Sequence, residues 1–238
     1  SATAPVQRIR GRRRERPGRD PIARRPTMVP MSETPGAHYF TTPQDEERRS
    51  RIRVQLRGRE VSVETAGGVF SPKGLDKGTA ILLDEVPDPT GAELLDLGCG
   101  WGPVAIAMAQ AGQPGARVTA VDVNDRSLGL TRDNAAALGL TGVEALRPQD
   151  VPDDRRFDAI WSNPPIRIGK QALHELLLLW LPRLASGGTA WLVVQKNLGA
   201  DTLQSWLATA LPEAAEGPWE VRRTATAKGF RILAVTRG

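Results

Sequence analysis

The sequence predicts an α/β protein: a doubly wound, mostly parallel seven-stranded sheet with an N-terminal β-hairpin extension. Three observations predict it. From residue 93 onward, short apolar runs alternate with helical stretches, the pattern of strand–helix–strand units whose parallel sheet is covered on both faces. Ahead of that region, Ile52, Val54 and Leu56, then Val61 and Val63, alternate with polar residues on either side of Arg57-Gly58-Arg59, which reads as a hairpin. The C-terminal stretch WEVRRTATAKGFRILAVTR reads as two strands joined around Lys228-Gly229, adding an antiparallel pair at one sheet edge.

The elements follow in order. Residues 1–36 form a tail, rich in Arg and Pro and without apolar periodicity, which reads as disordered. Residues 37–90 carry the hairpin, a glycine-rich loop (GGVFSPKGLDKGTA, 67–80) and a short helix over TAILLDEV, closed by Pro87 and Pro89. Residues 91–238 hold the sheet domain. There ELLDLG is a buried strand, GPVAIAMAQAG a helix and ARVTAVDV a strand. DRSLGLTRDNAAALGL is a helix with Asp125 as its N-cap and Gly139 near its end. GVEALRP and FDAIWS are strands, 170–183 is an amphipathic helix ending at Pro182, GGTAWLVVQK is a strand, and 200–210 is helical.

A chain of 238 residues, 40% of them hydrophobic, can bury one substantial core. Its longest apolar run, LLLLWL at 176–181, is far short of the ~20 residues that cross a bilayer, and no charged-then-apolar leader resembles a signal peptide. One cysteine and two histidines exclude a disulfide framework and argue against a zinc site. The expectation is a cytosolic protein without metal or membrane partner. The net charge of +5 is unevenly placed: residues 1–30 hold nine arginines against Glu15 and Asp20, a local +7, leaving −2 for the other 208 residues. The tail is open to three readings: an RNA-binding arm, a solvated leader, or an extension upstream of an internal start at Met28 or Met31.

Chemistry concentrates at two places. DLGCGWGP (96–103) follows the first strand of the domain and opens its first helix, and Gly98, Gly100 and Gly102 let the backbone turn sharply beside a ligand. Asp122 ends the next strand, where an acid takes a ribose diol. Asp96, ahead of the glycines, disfavours a pyrophosphate and suits a ligand with positive charge. The second place is Ser162-Asn163-Pro164-Pro165, where two prolines without N–H groups stop a core strand at the edge where open α/β sheets bind ligands. An exocyclic amine or amide is a poor nucleophile because its lone pair is delocalised. The Asn163 side-chain oxygen and the Pro164 carbonyl can accept both of its N–H groups and aim that lone pair, with the prolines holding the carbonyl in place. The bland alternative for the elbow is a strand-ending turn.

DLGCGWGP, VDVN and SNPP, in that order, resemble a class I S-adenosylmethionine-dependent methyltransferase. The resemblance implies that Asp96, Gly98 and Gly100 line the methionyl end of the cofactor, that Asp122 takes the ribose, and that Asp150 stands beside the adenine. It extends the cofactor contacts to Cys99, a small spacer, to Trp101, to Val123 and to Asn163. AGGVFSPKGLDKGTAILL, NPPIRIGK, VVQKNLGA and KGFRIL look like a compact branch of the small-domain methyltransferases that modify guanine N2 of small-subunit (16S) ribosomal RNA, a resemblance covering roughly 38–238. This implies that Phe70, Asp76, Gly78 and Thr79 cover the cofactor, core packing being the alternative for Phe70. Asn163, Pro164 and Pro165 become the catalytic set. Ile166 stands where relatives often carry an aromatic that stacks on the substrate. Arg167 and Lys170, with Lys196 on the same edge, are the candidates to meet RNA phosphates. Other acceptors remain open, namely a protein glutamine, a DNA adenine or a small metabolite, as does a binding module without turnover.

Overall fold

The computed structural model describes residues 48–238, so the arginine-rich tail and its expected disorder lie outside the described residues. Strands β1 (Arg49–Leu56) and β2 (Arg59–Ala66) pair antiparallel as a separate two-stranded sheet. Arg57 and Gly58 alone make the turn, with φ of 49° and 78°, and Arg59 is already paired with Leu56. Two left-handed residues give the turn twist that matches the strands it joins.

The main sheet holds β3 (Glu93–Leu97), β4 (Arg117–Val121), β5 (Val143–Leu146), β6 (Phe157–Ser162), β7 (Leu184–Gln195), β8 (Trp219–Ala227) and β9 (Phe230–Arg237), in the order β5-β4-β3-β6-β7-β9-β8. Strands β3 to β7 are parallel, and β9 runs antiparallel between β7 and β8. The chain steps outward from β3 through β4 to β5, then returns to β6 on the other side. Its switch point therefore lies between the carboxyl ends of β3 and β6, where this architecture leaves a crevice. The Ser162 hydroxyl donates to the Leu97 carbonyl at 2.7 Å and ties those two strand ends together.

Five α-helices of the described residues cover the sheet: α1 (Lys77–Glu85), α2 (Pro103–Ala111), α3 (Asp125–Ala137), α4 (Lys170–Trp180) and α5 (Ala200–Ala214). Successive side chains of a strand point to opposite faces, so Leu94 joins a cluster with Leu82 and Ile106 while Leu95 joins one with Leu177 and Leu207. Burial on both faces is why ELLDL reads as a continuous apolar run rather than an alternating one. The hairpin shares the first cluster through Leu56, Val61 and Val63. Its turn residue Arg57 donates to the Leu83 and Val86 carbonyls at 2.6 and 2.9 Å, filling acceptors left open at the end of α1, and to the Asp88 carboxylate at 2.7 Å.

Some boundaries differ from the sequence reading. Helix α1 starts at Lys77, because Asp76 caps it inside what read as loop. Asn124, not Asp125, caps α3: its side-chain oxygen accepts the Arg126 N–H at 3.0 Å. Helix α4 stops at Trp180 and a single tight turn, 181–183, carries Pro182. Helix α5 runs past 210 through Pro212, since fully buried Leu211 holds its last turn to the core. No helix of the described residues is long and apolar enough to cross a membrane, and no cluster among them is suited to a metal ion.

Candidate active site

The glycine loop leaves β3 stitched to β4: the Gly98 and Cys99 N–H groups both donate to the Val121 carbonyl, at 2.8 and 2.9 Å. Gly98, Gly100 and Gly102 have φ of 85°, 56° and 97°, positive values that glycine adopts at no steric cost. Asp122 braces the loop, accepting the Gly100 N–H on Oδ2 and the Asn124 N–H on Oδ1, each at 2.9 Å. A carboxylate has about four acceptor positions, so two bonds leave room for a ligand's hydroxyls. Burial raises the Asp122 pKa, against the N–H groups of Asn124, Gly100 and Val123.

Asp96 is 1% exposed and accepts the Ala105 N–H of α2 at 2.9 Å. Burial, opposed by that hydrogen bond and aided by the charge of Asp122, pushes its pKa up to about 8. Cys99 is sealed beside it, and burial, then Asp96 and Asp122, hold its thiol well above the ordinary range, which leaves a neutral spacer and no nucleophile.

At the end of β6, Asn163 Nδ2 donates to Asp76 Oδ2 at 2.9 Å and to Thr79 Oγ1 at 3.1 Å. A carboxylate only accepts, so this pairing identifies the nitrogen end of the amide and leaves Oδ1 as a free acceptor. The same Asp76 oxygen caps α1, taking the Gly78 and Thr79 N–H groups at 2.8 and 3.2 Å. The next residues turn at once: Pro165 has φ −75° and ψ 74°, and the Pro164 carbonyl accepts the Ile166 N–H at 2.8 Å. This inverse γ-turn occupies one lone pair of that carbonyl and leaves the other.

Phe70, Asp76 and Thr79 line one cleft together with Gly98, Cys99, Gly100 and Trp101, and Asn163 lies in its wall. Phe70 is 60% exposed, so core packing does not hold it there. Trp101 is 1% exposed and offers the cleft a wall rather than an accessible ring. Val123 is exposed beyond Asp122, and Asp150 is exposed at the end of a short turn after β5, two strands from β3. Ile166 packs partly against the second cluster, while Arg167, Lys170 and Lys196 are exposed and make no ion pair among the described residues. The ring of His174 stacks on Trp206 at 3.5 Å, away from the elbow's hydrogen bonds.

Two supporting residues escaped the sequence reading. Asn134 mimics a strand neighbour: it accepts the Glu64 N–H at 2.7 Å and donates to the Glu64 and Trp101 carbonyls, each at 2.9 Å. Thr131 donates to the Gly100 carbonyl at 3.0 Å. Both are buried on the face of α3 that carries Leu128 and Ala135, and two polar residues three apart on an apolar stripe were the available signal.

The cleft lining includes Asp76 and no lysine or arginine, and Asp96 and Asp122 stand at the strand ends behind its glycine loop. That donor set rejects a pyrophosphate and fits a ligand with ammonium and sulfonium charge, which relieves the buried carboxylates. With the doubly wound sheet, it defines an S-adenosylmethionine-dependent methyltransferase. Residues 60–233 match the family model described as Methyltransferase small domain, and the chain belongs to that family. Uncharacterized protein YbxB of Bacillus subtilis is 31% identical over 68% of this chain and 83% of its own length. Ribosomal RNA small subunit methyltransferase C of Pseudomonas entomophila is 34% identical over 79% of this chain and 54% of its own length. The chain thus spans about half the length of that relative, as it does for the Shewanella amazonensis protein of the same name, 33% identical over 47% of that protein and 66% of this chain. Among solved structures, the T. thermophilus 16S rRNA N2 G1207 methyltransferase (RsmC) with AdoMet and guanosine shares the fold, with TM-score 0.64 at 23% identity over 80% of this chain and 51% of that one.

Proposed function

We propose that the enzyme methylates the exocyclic N2 amine of a guanine in small-subunit ribosomal RNA, a substrate met in the cytosol. The observation that carries this reading is the orientation of Asn163. Its nitrogen is committed to Asp76 and Thr79, so its oxygen accepts one N–H of the amine. The Pro164 carbonyl, with one lone pair left, accepts the other. The two bonds draw the amine nitrogen out of conjugation and hold its lone pair on line for attack. S-adenosylmethionine, when bound, supplies a methyl group activated by its sulfonium. Asp96, Gly98 and Gly100 hold its methionyl end, Asp122 its ribose hydroxyls, Val123 and Asp150 its base, and Phe70 covers it. Arg167, Lys170 and Lys196 meet phosphates beside the acceptor. The relatives named as small-subunit ribosomal RNA methyltransferases support the choice of RNA over a protein glutamine, a DNA adenine or a metabolite.

Labelled methyl transfer to undermethylated small-subunit RNA, followed by nucleoside mass spectrometry, is expected to return N2-methylguanosine. Label confined to protein, DNA or metabolite rejects the acceptor. Asn163→Ala is expected to keep cofactor affinity within a few-fold by calorimetry and to lose about a hundredfold or more of turnover, in the range of removing a preorganised polar partner. Near-normal turnover in that variant rejects the role of Asn163.

A further inference from the structure

The elbow lacks a ring: Ile166 follows the second proline, and it leans on the core. A planar acceptor held only by two hydrogen bonds would be free to tilt about them, so the site needs a flat wall from elsewhere. The described residues offer one. Strand β9 runs antiparallel to β7 with Phe230 opposite Gln195, the last residue of β7, which places Phe230 at the carboxyl edge of the parallel strands. The turn before it, Lys228-Gly229, has φ of 47° and 86°, and the Gly229 carbonyl accepts the Lys196 N–H at 2.8 Å, fixing the turn to the end of β7.

From there Phe230 approaches the catalytic amide. A Cβ added at Gly78 would lie 3.1 Å from Phe230 Cε1 and 3.2 Å from Asn163 Nδ2. The ring edge therefore lies near the nitrogen end of the Asn163 amide, across the space of the side chain that Gly78 lacks. The ring is half-buried, part of it packed against the first core cluster, and the Lys77 ammonium lies 5.9 Å from its centroid, so one face already receives a cation. Lys77, Lys196 and Lys228 are exposed and in no ion pair among the described residues. Exposed Ile168 and Leu198, on the turns after β6 and β7, add apolar surface to this edge.

We propose that Phe230 is the stacking wall for the acceptor base, supplied by the β8–β9 turn in place of the missing ring at 166, with Lys77, Lys196 and Lys228 receiving the flanking phosphates. This rests on the nucleobase reading of the acceptor. A π-face takes a base without selecting its edge, so the ring orients the acceptor while Asn163 and Pro164 recognise its amine.

The test compares Phe230→Leu, which keeps apolar bulk without a ring, and Phe230→Tyr, which keeps the ring, with the wild type on undermethylated small-subunit RNA. Melting temperature and S-adenosylmethionine affinity by calorimetry are measured on each. Phe230→Leu is expected to hold cofactor affinity within about twofold and to lose about 10- to 100-fold of kcat/KM for RNA, the range for loss of one base–aromatic stack. Phe230→Tyr is expected to stay within about threefold of the wild type. Full RNA activity in Phe230→Leu overturns the proposal, as does a parallel loss of cofactor affinity, which would make the ring a part of the cofactor site. Wild-type enzyme that labels no RNA fails differently: it removes the acceptor reading and the wall with it, whereas activity on RNA retained by the leucine variant removes the wall alone.

Discussion

Asp96 carries a charge that burial disfavours. Its pKa, 3.8 in an exposed chain, rises to about 8 on burial. Between those values the native state binds a proton that the unfolded state has released. The stability this contributes is present in full below about pH 4 and is lost as the pH rises toward 8. Asparagine keeps an acceptor for the Ala105 N–H and removes the titration. The melting temperature of Asp96→Asn is therefore expected to gain on that of the wild type as the pH is raised across that window, by an amount on the order of a few kcal/mol in stability. Cofactor affinity is expected to move the other way, since a cation favours the ionised acid. Calorimetry near neutral pH should detect a proton released when S-adenosylmethionine binds the wild type, as a heat that varies with buffer ionisation, and should not detect it in the variant. A wild type whose stability is flat over this range would show that Asp96 is ionised in the free enzyme.

Helix α1 is the element that turns a buried strand end into an oriented amide. Arg57 fills the carbonyls at its last turn, and Asp76 at its first turn holds both the helix and Asn163. Gly78 sits between them, where a Cβ would come within 3.0 Å of Asp76 Oδ2, 3.1 Å of Phe230 Cε1 and 3.2 Å of Asn163 Nδ2. Two effects of Gly78→Ala oppose each other in stability: alanine is favoured in a helix by about 1 kcal/mol, and crowding three groups gives back a similar amount. The melting temperature is expected to change by only a few degrees while turnover falls tenfold or more, as measured by melting curves beside single-turnover methyl transfer. Unchanged turnover would show that the helix end yields without disturbing Asn163. The strands and helices, the glycine loop and the elbow were legible because each is written in consecutive residues: apolar runs, closely spaced glycines, paired prolines. The junction of Asp76 with Asn163 spans 87 residues, and no periodicity encodes it. Phe230 stood within KGFRIL, yet its place beside the amide follows only from the β7–β9 register. Local chemistry misled the reading at α3, where Asn124 and Asp125 are both good caps and the fold uses the first.

At the scale of the whole molecule, charge is divided between a cleft and its rim. Asp76 lines the cleft, with Asp96 and Asp122 behind its glycine loop, whereas Lys77, Arg167, Lys170, Lys196 and Lys228, in no ion pair among the described residues, stand around the elbow and the β8–β9 turn. A molecule whose residues 31–238 sum to −2 can therefore still present cations where a polyanion must approach. The +7 of residues 1–30 is separate in sequence from every residue proposed for the site, all of which lie between Phe70 and Phe230. For a single-stranded RNA segment, each phosphate neutralised steepens the dependence of log affinity on log salt by about 0.7. Deleting residues 1–30 is expected to leave kcat and cofactor affinity unchanged, to raise KM for RNA and to flatten that salt slope. In the shortened chain, Lys196→Gln with Lys228→Gln is expected to flatten it further, by about 1.4 if each lysine holds one phosphate. Binding measured by fluorescence anisotropy across a salt series separates the two contributions. A slope unmoved by the deletion would assign all phosphate contact to the rim, and a slope unmoved by the lysine pair would remove both residues from the RNA path.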